Sequence, residues 1–287
     1  MQRLFTIGAA MFMAACAVEG AEDDLGTTQQ LISGWAVGAW GTTSDTVGLD
    51  TGWSIASSTC VLSAVLGNLT QGGAGHPGDV ASEAGIENGL NGHYFIVGHG
   101  GANHGVWANN PVMAGGVCVP YQTTAFNIWT SALPQFGVAP PKKIANSAFN
   151  RRCFLTSIVS GGGIFGQWAD SVRVLEISQP DAQHPSTGWY IQGTLASNPD
   201  TGQQASATAA CIDFPSISAE WGGAFGGATN PMTTGNGVKM CGLTGIFGAF
   251  NVNSYGNGAS LTAPPAQNGN WSMTVAPSKF ATANCIQ

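Results

Sequence analysis

The sequence predicts an all-β fold: three tandem, disulfide-containing β repeats packed with pseudo-threefold symmetry. Three observations predict it. Six of the seven cysteines fall into three frames that open on Cys-x-Leu-Ser/Thr, namely Cys60-Val61-Leu62-Ser63, Cys153-Phe154-Leu155-Thr156 and Cys241-Gly242-Leu243-Thr244. The frames close on Cys118-Val119, Cys211-Ile212 and Cys285-Ile286, which lie 58, 58 and 44 positions beyond their opening cysteines. A tryptophan precedes each opening cysteine by a similar interval: Trp35, Trp129 and Trp221. Finally, no long window keeps a helical hydrophobic period, because Gly, Pro and Thr interrupt it, whereas short alternating runs bounded by glycine recur.

In chain order, residues 1–15 read as an export signal. Arg3 is the only early charge, and Leu4 to Ala15 is a mostly apolar run of 12 residues. That is shorter than the roughly 20 residues a membrane-spanning helix needs. The run ends in Met13-Ala14-Ala15-Cys16. This segment resembles the lipobox of bacterial lipoproteins, where one large apolar and two small residues precede a cysteine. The resemblance covers the first 16 residues, with Met13 in place of the usual Leu. It implies cleavage before Cys16 and lipid modification of that cysteine, which also explains a cysteine left outside the paired frames. An ordinary secretory peptide cut nearby, leaving a secreted protein, is the alternative. Ala17, rather than aspartate, follows Cys16; by the same resemblance this implies the outer membrane or cell surface, with the membrane as a partner through the lipid anchor. Residues 16–30 carry Glu19, Glu22, Asp23 and Asp24 among Gly, Thr and Gln and are expected to be a flexible tether.

The repeats then span residues 31–120, 121–213 and 214–287. A second anchor lines up inside them: Gly92-His93-Tyr94, Gly188-Trp189-Tyr190 and Gly269-Asn270-Trp271, each a turn glycine entering an aromatic strand. This alignment sets Trp189 and Asn270 at the position of His93. Trp271, Met273 and Val275 alternate with Ser272 and Thr274, giving one apolar face. Ser171 to Ile177 is apolar on parts of both faces and is expected to be buried on two sides. The stretch from Pro120 to Arg152 carries Phe126, Ile128, Trp129, Leu133, Phe136 and Phe149, too apolar for a flexible linker. That favours one packed body over the alternative, three bead-like β-sandwich modules. Repetition selects Cys60–Cys118, Cys153–Cys211 and Cys241–Cys285 from the pairings six cysteines allow. Export and the lack of a Cys-x-x-Cys argue for structural bridges over metal or redox use.

Charged residues make up 8% of the chain, against roughly 25% in an ordinary domain. Removing Arg3 with the signal leaves 8 − 1 = 7 basic against 15 acidic residues, a net charge of −8, which argues against nucleic acid as a partner. No Gly-x-Ser-x-Gly elbow, His-Glu-x-x-His or phosphate-binding loop occurs, and no cofactor is implied. His93, His99 and His104 are the one local concentration of metal-ligating side chains. An unbroken strand would hold His93 and His99 about 20 Å apart, so only a turn at residues 98–101 would join His99 to His104. Metal binding is therefore disfavoured and confined to repeat one. Asp79 with Glu83 and Glu87, or Asp170 with Glu176, are carboxylate pairs that would suit glycoside hydrolysis at separations of about 5–9.5 Å.

The nine tryptophans are the better guide. Trp107 with Asn109 and Asn110, and Trp168 with Asp170, lie outside the repeat anchors. An aromatic plane beside amides and carboxylates suits a neutral sugar, so these five residues are the candidate ligand-binding set. The resulting expectation is a non-enzymatic, lipid-anchored surface protein that binds a glycan or another surface polymer, with a role in adhesion. The alternatives are a secreted hydrolase acting on polysaccharide or cell wall, and a structural envelope or matrix component. A binding or structural protein should repeat its site in several copies of the module. An enzyme should gather convergent polar groups in one.

Overall fold

The structure, a computed structural model, describes residues 32–37, 48–70, 72, 80–103, 106–107, 112–131, 139–160, 165–167, 169–195, 204–215, 220–227, 229–232, 240–264 and 270–286. Among them all long regular elements are strands. Repeat one contributes β1 (Ile32–Val37), β2 (Gly48–Ser54), β3 (Thr59–Gly67), β4 (Ser82–Asn88), β5 (His93–His99), the short ribbon β6 (Ala102–Asn103) and β7 (Val106–Trp107), and β8 (Val112–Val119). Repeat two contributes β9 (Thr123–Thr130), β10 (Lys142–Ala145), β11 (Arg151–Ser160), β12 (Ser171–Ile177), β13 (Gly188–Gly193) and β14 (Ser206–Asp213). Repeat three contributes β15 (Glu220–Gly226), β16 (Thr229–Pro231), β17 (Met240–Phe247), β18 (Gly258–Thr262), β19 (Ser272–Val275) and β20 (Phe280–Ile286).

The strands build three six-stranded sheets, and pairing does not follow the repeats. The orders are β1-β8-β3-β18-β19-β16, β15-β20-β17-β12-β13-β10 and β9-β14-β11-β4-β5-β2. Each sheet thus takes the first, closing and opening strands of one repeat and joins them to the fourth, fifth and second strands of the repeat before it. Repeat three precedes repeat one in this cycle, so the strand order permutes cyclically. The seams match residue for residue: the fourth residue beyond each opening cysteine pairs across the seam, as Ala64 with Ser260, Ser157 with Gly85 and Gly245 with Arg173. Bead-like modules are excluded, because no repeat closes a sheet of its own, and Leu31–Gln287 forms one compact unit.

The cysteine motif sets this geometry locally. Opening and closing cysteines stand directly opposite each other on β3/β8, β11/β14 and β17/β20. Their Cα atoms are 4.0, 3.9 and 4.0 Å apart, the close spacing of antiparallel neighbours at non-hydrogen-bonded sites, and all three bridges form within their repeats. The Ser/Thr of each motif is the extra residue of a β-bulge. The register slips between Leu62 and Ala64, between Leu155 and Ser157, and between Leu243 and Gly245, leaving Ser63, Thr156 and Thr244 unpaired in the ladder. A bulge bends and twists its strand, and here it falls just before the stretch in which each opening strand, still paired with its own closing strand on one edge, pairs with the preceding repeat on the other. Three bridges are what an oxidising, extracytoplasmic compartment sustains, and they point towards an extracellular or exported protein.

The x positions of the same motif meet at the centre. Strands β3, β11 and β17 contact one another. A Cβ on Gly242 would lie 2.7 Å from Cδ1 of Phe154 and 2.8 Å from Cγ2 of Val61. Equivalent positions therefore carry one large, one medium and one absent side chain, and the volumes complement each other at a shared point. At one end of this core, the loops that follow the three opening strands knit together. The Leu69 amide donates to the Phe250 carbonyl, and the Phe250 amide donates to the Phe165 carbonyl, each at 2.8 Å. The rings of Phe165 and Phe250 pack edge to face at 5.0 Å.

Two sequence alignments shift against this register, and one strand is buried differently. The tryptophans that precede the opening cysteines share a strand but not a position. Trp35 pairs with Gly115, three residues before Cys118; Trp129 pairs with Ala207, four before Cys211; Trp221 pairs with Cys285 itself. Of these, Trp129 is fully buried and packs against Gly193 of the neighbouring sheet. Following the seam and hairpin registers, Tyr94, Trp189 and Trp271 are the equivalent aromatics, all buried, so Gly188 rather than Trp189 occupies the place of His93. Strand β12 is also less enclosed than its composition suggested: Val172 and Val174 are buried, but Arg173 and Glu176 are exposed.

Candidate functional site

Where repeat one meets repeat two, the strand exchange leaves a cleft of about 480 Å³, within the roughly 300–1,000 Å³ range of small-ligand sites. Its inner wall is the Cys60 bridge with Tyr94 and Ile86. Tyr94 is held there by its hydroxyl, which donates to the Ser58 carbonyl at 3.3 Å. Across from it, β9 presents Phe126, 66% exposed although it sits in the third sheet. The rim between them is neutral and polar. Thr156, the bulged residue of β11, and Thr208 of β14 are half-buried, while Asn88, Gln122 and Thr123 are exposed. Two of the rim groups are fixed in place. The Gln122 amide donates to the Ala56 carbonyl, and the hydroxyls of Thr59 and Thr123 lie 2.8 Å apart, Thr59 also donating to the Tyr121 carbonyl at 2.7 Å. Among the described residues nothing pairs with the Thr156 or Thr208 hydroxyls or with the Asn88 amide.

The register identifies what stands in the same places at the other two junctions. Between repeats two and three, Thr59, Asn88 and Phe126 are replaced by Arg152, Glu176 and Gly222. Thr156 and Thr208 correspond there to Thr244 and Thr282, which bond to each other at 2.9 Å. Between repeats three and one, the equivalents of Thr59, Asn88 and Phe126 are Met240, Ala263 and Ser33. An exposed aromatic facing free hydroxyls is thus a property of the first junction.

A second polar group lies on the same seam. The Ser157 hydroxyl of β11 donates to Glu83 Oε1 of β4 at 2.9 Å, and His99 Nε2 lies 3.7 Å from Glu83 Oε2. Burial raises the Glu87 carboxyl above the usual glutamate range; repulsion from Glu83 adds to this and His99 opposes it. The side chain nonetheless reaches solvent. Glu83 is therefore committed to clasping two repeats together. In repeat two the pair equivalent to Glu83 and His99 is neutral, Ser171 with Thr194 at 3.0 Å, and Gly245 stands at the place of Ser157.

Of the residues singled out from sequence, the six bridge cysteines stand as expected. Cys16, His104, Asn109, Asn110 and Trp168 lie outside the described residues, as does Asp79; Trp107 is described only through the backbone of β7. Asp170 is half-buried and its Oδ2 accepts the Gln167 amide at 2.8 Å. Burial raises its carboxyl, and the amides of Gln167 and Gly166 oppose that shift. His99 is buried at the end of β5 beside Glu83. Among the described residues no group of three or more His, Cys, Asp or Glu side chains is placed to hold a metal ion. Phe126, Thr156 and Thr208 escaped the sequence reading. The available signal was parity: Phe126 and Ile128 alternate with Asn127 and Trp129, so one face of β9 had to leave its apolar residues outside whenever Trp129 turned inward.

The chain matches no protein-family model and no curated protein. What fold and cleft define is a class: a disulfide-stapled, strand-exchanged all-β protein with a neutral, aromatic-walled groove at its first junction.

Proposed function

We propose that this is a non-enzymatic surface protein that binds a glycan in the cleft between repeats one and two, anchored to the outer membrane or cell surface through a lipid on Cys16. The observation that carries the reading is the make-up of the cleft. An exposed phenyl ring faces hydroxyls and amides with no carboxylate, imidazole, amine or guanidinium among the lining side chains. Such a surface offers apolar contact to sugar CH groups and hydrogen bonds to sugar hydroxyls. It offers no carboxyl pair to protonate a leaving oxygen and activate water, and the Tyr94 hydroxyl is engaged with the Ser58 carbonyl. The anchor is supported by the lipobox-like Met13-Ala14-Ala15-Cys16 and by the bridges that point towards export.

Among the described residues this lining occurs at the first junction, although the module occurs three times. Repetition would have favoured several equivalent sites, and one site would have favoured an enzyme; a lining without carboxylate, imidazole or amine supports the binding reading. The test is a glycan array with the mature lipid-free protein, followed by calorimetry on the best hit. One ligand should bind per chain. Phe126→Ala should remove binding, and the candidates Trp107→Ala and Trp168→Ala distinguish the cleft from the segments that carry those tryptophans. Binding untouched by Phe126→Ala but lost with either tryptophan would move the site to those segments.

A further inference from the structure

We infer that the ligand of the cleft is an uncharged glycan, of neutral or N-acetylated sugars, and that acidic glycans are excluded by the cleft itself. This inference rests on the glycan-binding reading above and adds the ligand class. Three observations carry it. First, the inner wall is a disulfide, Tyr94 and Ile86, and the rim supplies only hydroxyls and amides. A carboxylate or sulfate moved from water into that site would lose hydration and meet no cation, a cost that neutral hydrogen bonds do not offset. Second, two positions at which the next junction carries charge are neutral here: Thr59 stands where Arg152 stands, and Asn88 where Glu176 stands. A framework that accommodates a buried arginine at one junction offers a threonine, already bonded to Tyr121 and Thr123, at the other. Third, the chain as a whole carries a net charge of −7, so its long-range field repels polyanions before they reach the cleft.

The acceptor and donor set also fits the N-acetyl group. Thr156 and Thr208 present free hydroxyls from a half-buried position, and Asn88 presents an amide at the rim. An acetamido group needs one donor and one acceptor with a dry wall for its methyl, and the Cys60 bridge and Ile86 provide that wall.

The experiment is an array that pairs neutral and N-acetylated glycans with uronate-containing, sialylated and sulfated ones, probed with the wild-type protein, Phe126→Ala and Asn88→Lys at low and physiological salt. The expected result is that wild-type hits are confined to uncharged glycans, fall at least tenfold with Phe126→Ala, and change little with salt. Asn88→Lys, a change at an exposed position, should admit acidic glycans that the wild type rejects. Acidic hits that Phe126→Ala abolishes would overturn this inference while leaving glycan binding at the cleft intact. Hits indifferent to Phe126→Ala, or no hits at all with protein whose circular dichroism and melting are unchanged, would overturn both.

Discussion

The first and second junctions of this molecule are built from equivalent strands in equivalent register, yet they carry different side chains, and the first holds a cleft. At the second junction Trp189 and Arg152 are buried, Thr244 bonds to Thr282, and Arg151 grips Asp213 through Nε at 2.6 Å and Nη2 at 2.7 Å. At the first, the smaller Tyr94 and Thr59 leave room, the corresponding threonines stay free, and Phe126 faces the gap where the second junction has Gly222. The difference teaches that strand exchange fixes the backbone while each seam remains free to diverge. The backbone hydrogen bonds of the sheet do not depend on which side chains line the groove, so substitution at a handful of positions separates packing from recognition.

The largest way to break the comparison is to remove one bridge at a time. Cys60→Ala with Cys118→Ala, and Cys241→Ala with Cys285→Ala, open loops of 58 and 44 residues. Each should cost about 4 kcal/mol by loss of the chain-entropy constraint. Stability should fall alike, but binding should not. The first pair forms the wall of the cleft and its loss should abolish binding at a temperature where both variants remain folded; the second should leave affinity within about twofold. Equal loss of binding in both would mean that the cleft depends only on global stability.

Next in size is the shared centre. Gly242→Ala places a Cβ against Phe154 and Val61 and should cost about 1–3 kcal/mol by overpacking. Phe154→Leu alone should also destabilise, but the double variant should recover part of the sum, because the two residues occupy one volume. Additive losses measured by denaturant unfolding would show that the three opening strands do not share a packing layer.

Much of this architecture was legible in the chain, and the limits are physical. The cysteine frames revealed the repeat and the bridges because a disulfide ties two positions regardless of context. Alternation of Trp271, Met273 and Val275 with Ser272 and Thr274 read correctly, since β19 buries one face only. Strand exchange was not legible. Backbone ladders are nearly blind to sequence, so nothing in β4 announces that it pairs with β11 rather than with β3. The tryptophan spacing misled for a related reason: Trp35, Trp129 and Trp221 sit on equivalent strands, but a bulge between Cys211 and Ile212 and different turn lengths shift their register. The site was missed because its residues come from two repeats. Phe126, Thr156 and Tyr94 are far apart in sequence and unremarkable singly.

A smaller effect sharpens the comparison at the cleft alone. Rebuilding the first junction with residues of the second, as Phe126→Gly with Asn88→Glu, touches only exposed side chains. Melting should shift by no more than about 1 kcal/mol in stability, chiefly from glycine in an edge strand. Affinity for the array's best neutral ligand should drop at least tenfold, about 1.4 kcal/mol. A variant that still binds would place recognition outside the features in which the two junctions differ.

The smallest effect separates the junctions by pH. Arg151 holds the Asp213 carboxyl below the usual aspartate range, chiefly through their hydrogen bonds, with partial burial opposing. A depressed carboxyl contributes stability that is present above its unfolded value and lost as pH falls through the folded value, so the loss lies below about pH 4. Both groups are partly exposed, with 20% and 30% of their side chains accessible, and the pair is worth no more than about 1 kcal/mol after solvent screening. Arg151→Gln should therefore lower stability slightly at pH 7 and not at all near pH 2, as read by urea unfolding at the two pH values. The cleft has no titrating side chain in that range, so ligand affinity should be level from pH 5 to pH 8 in both wild type and variant. A bell-shaped or sloping affinity over that interval would instead bring Glu83, Glu87 and His99, on the same seam as the cleft, into recognition.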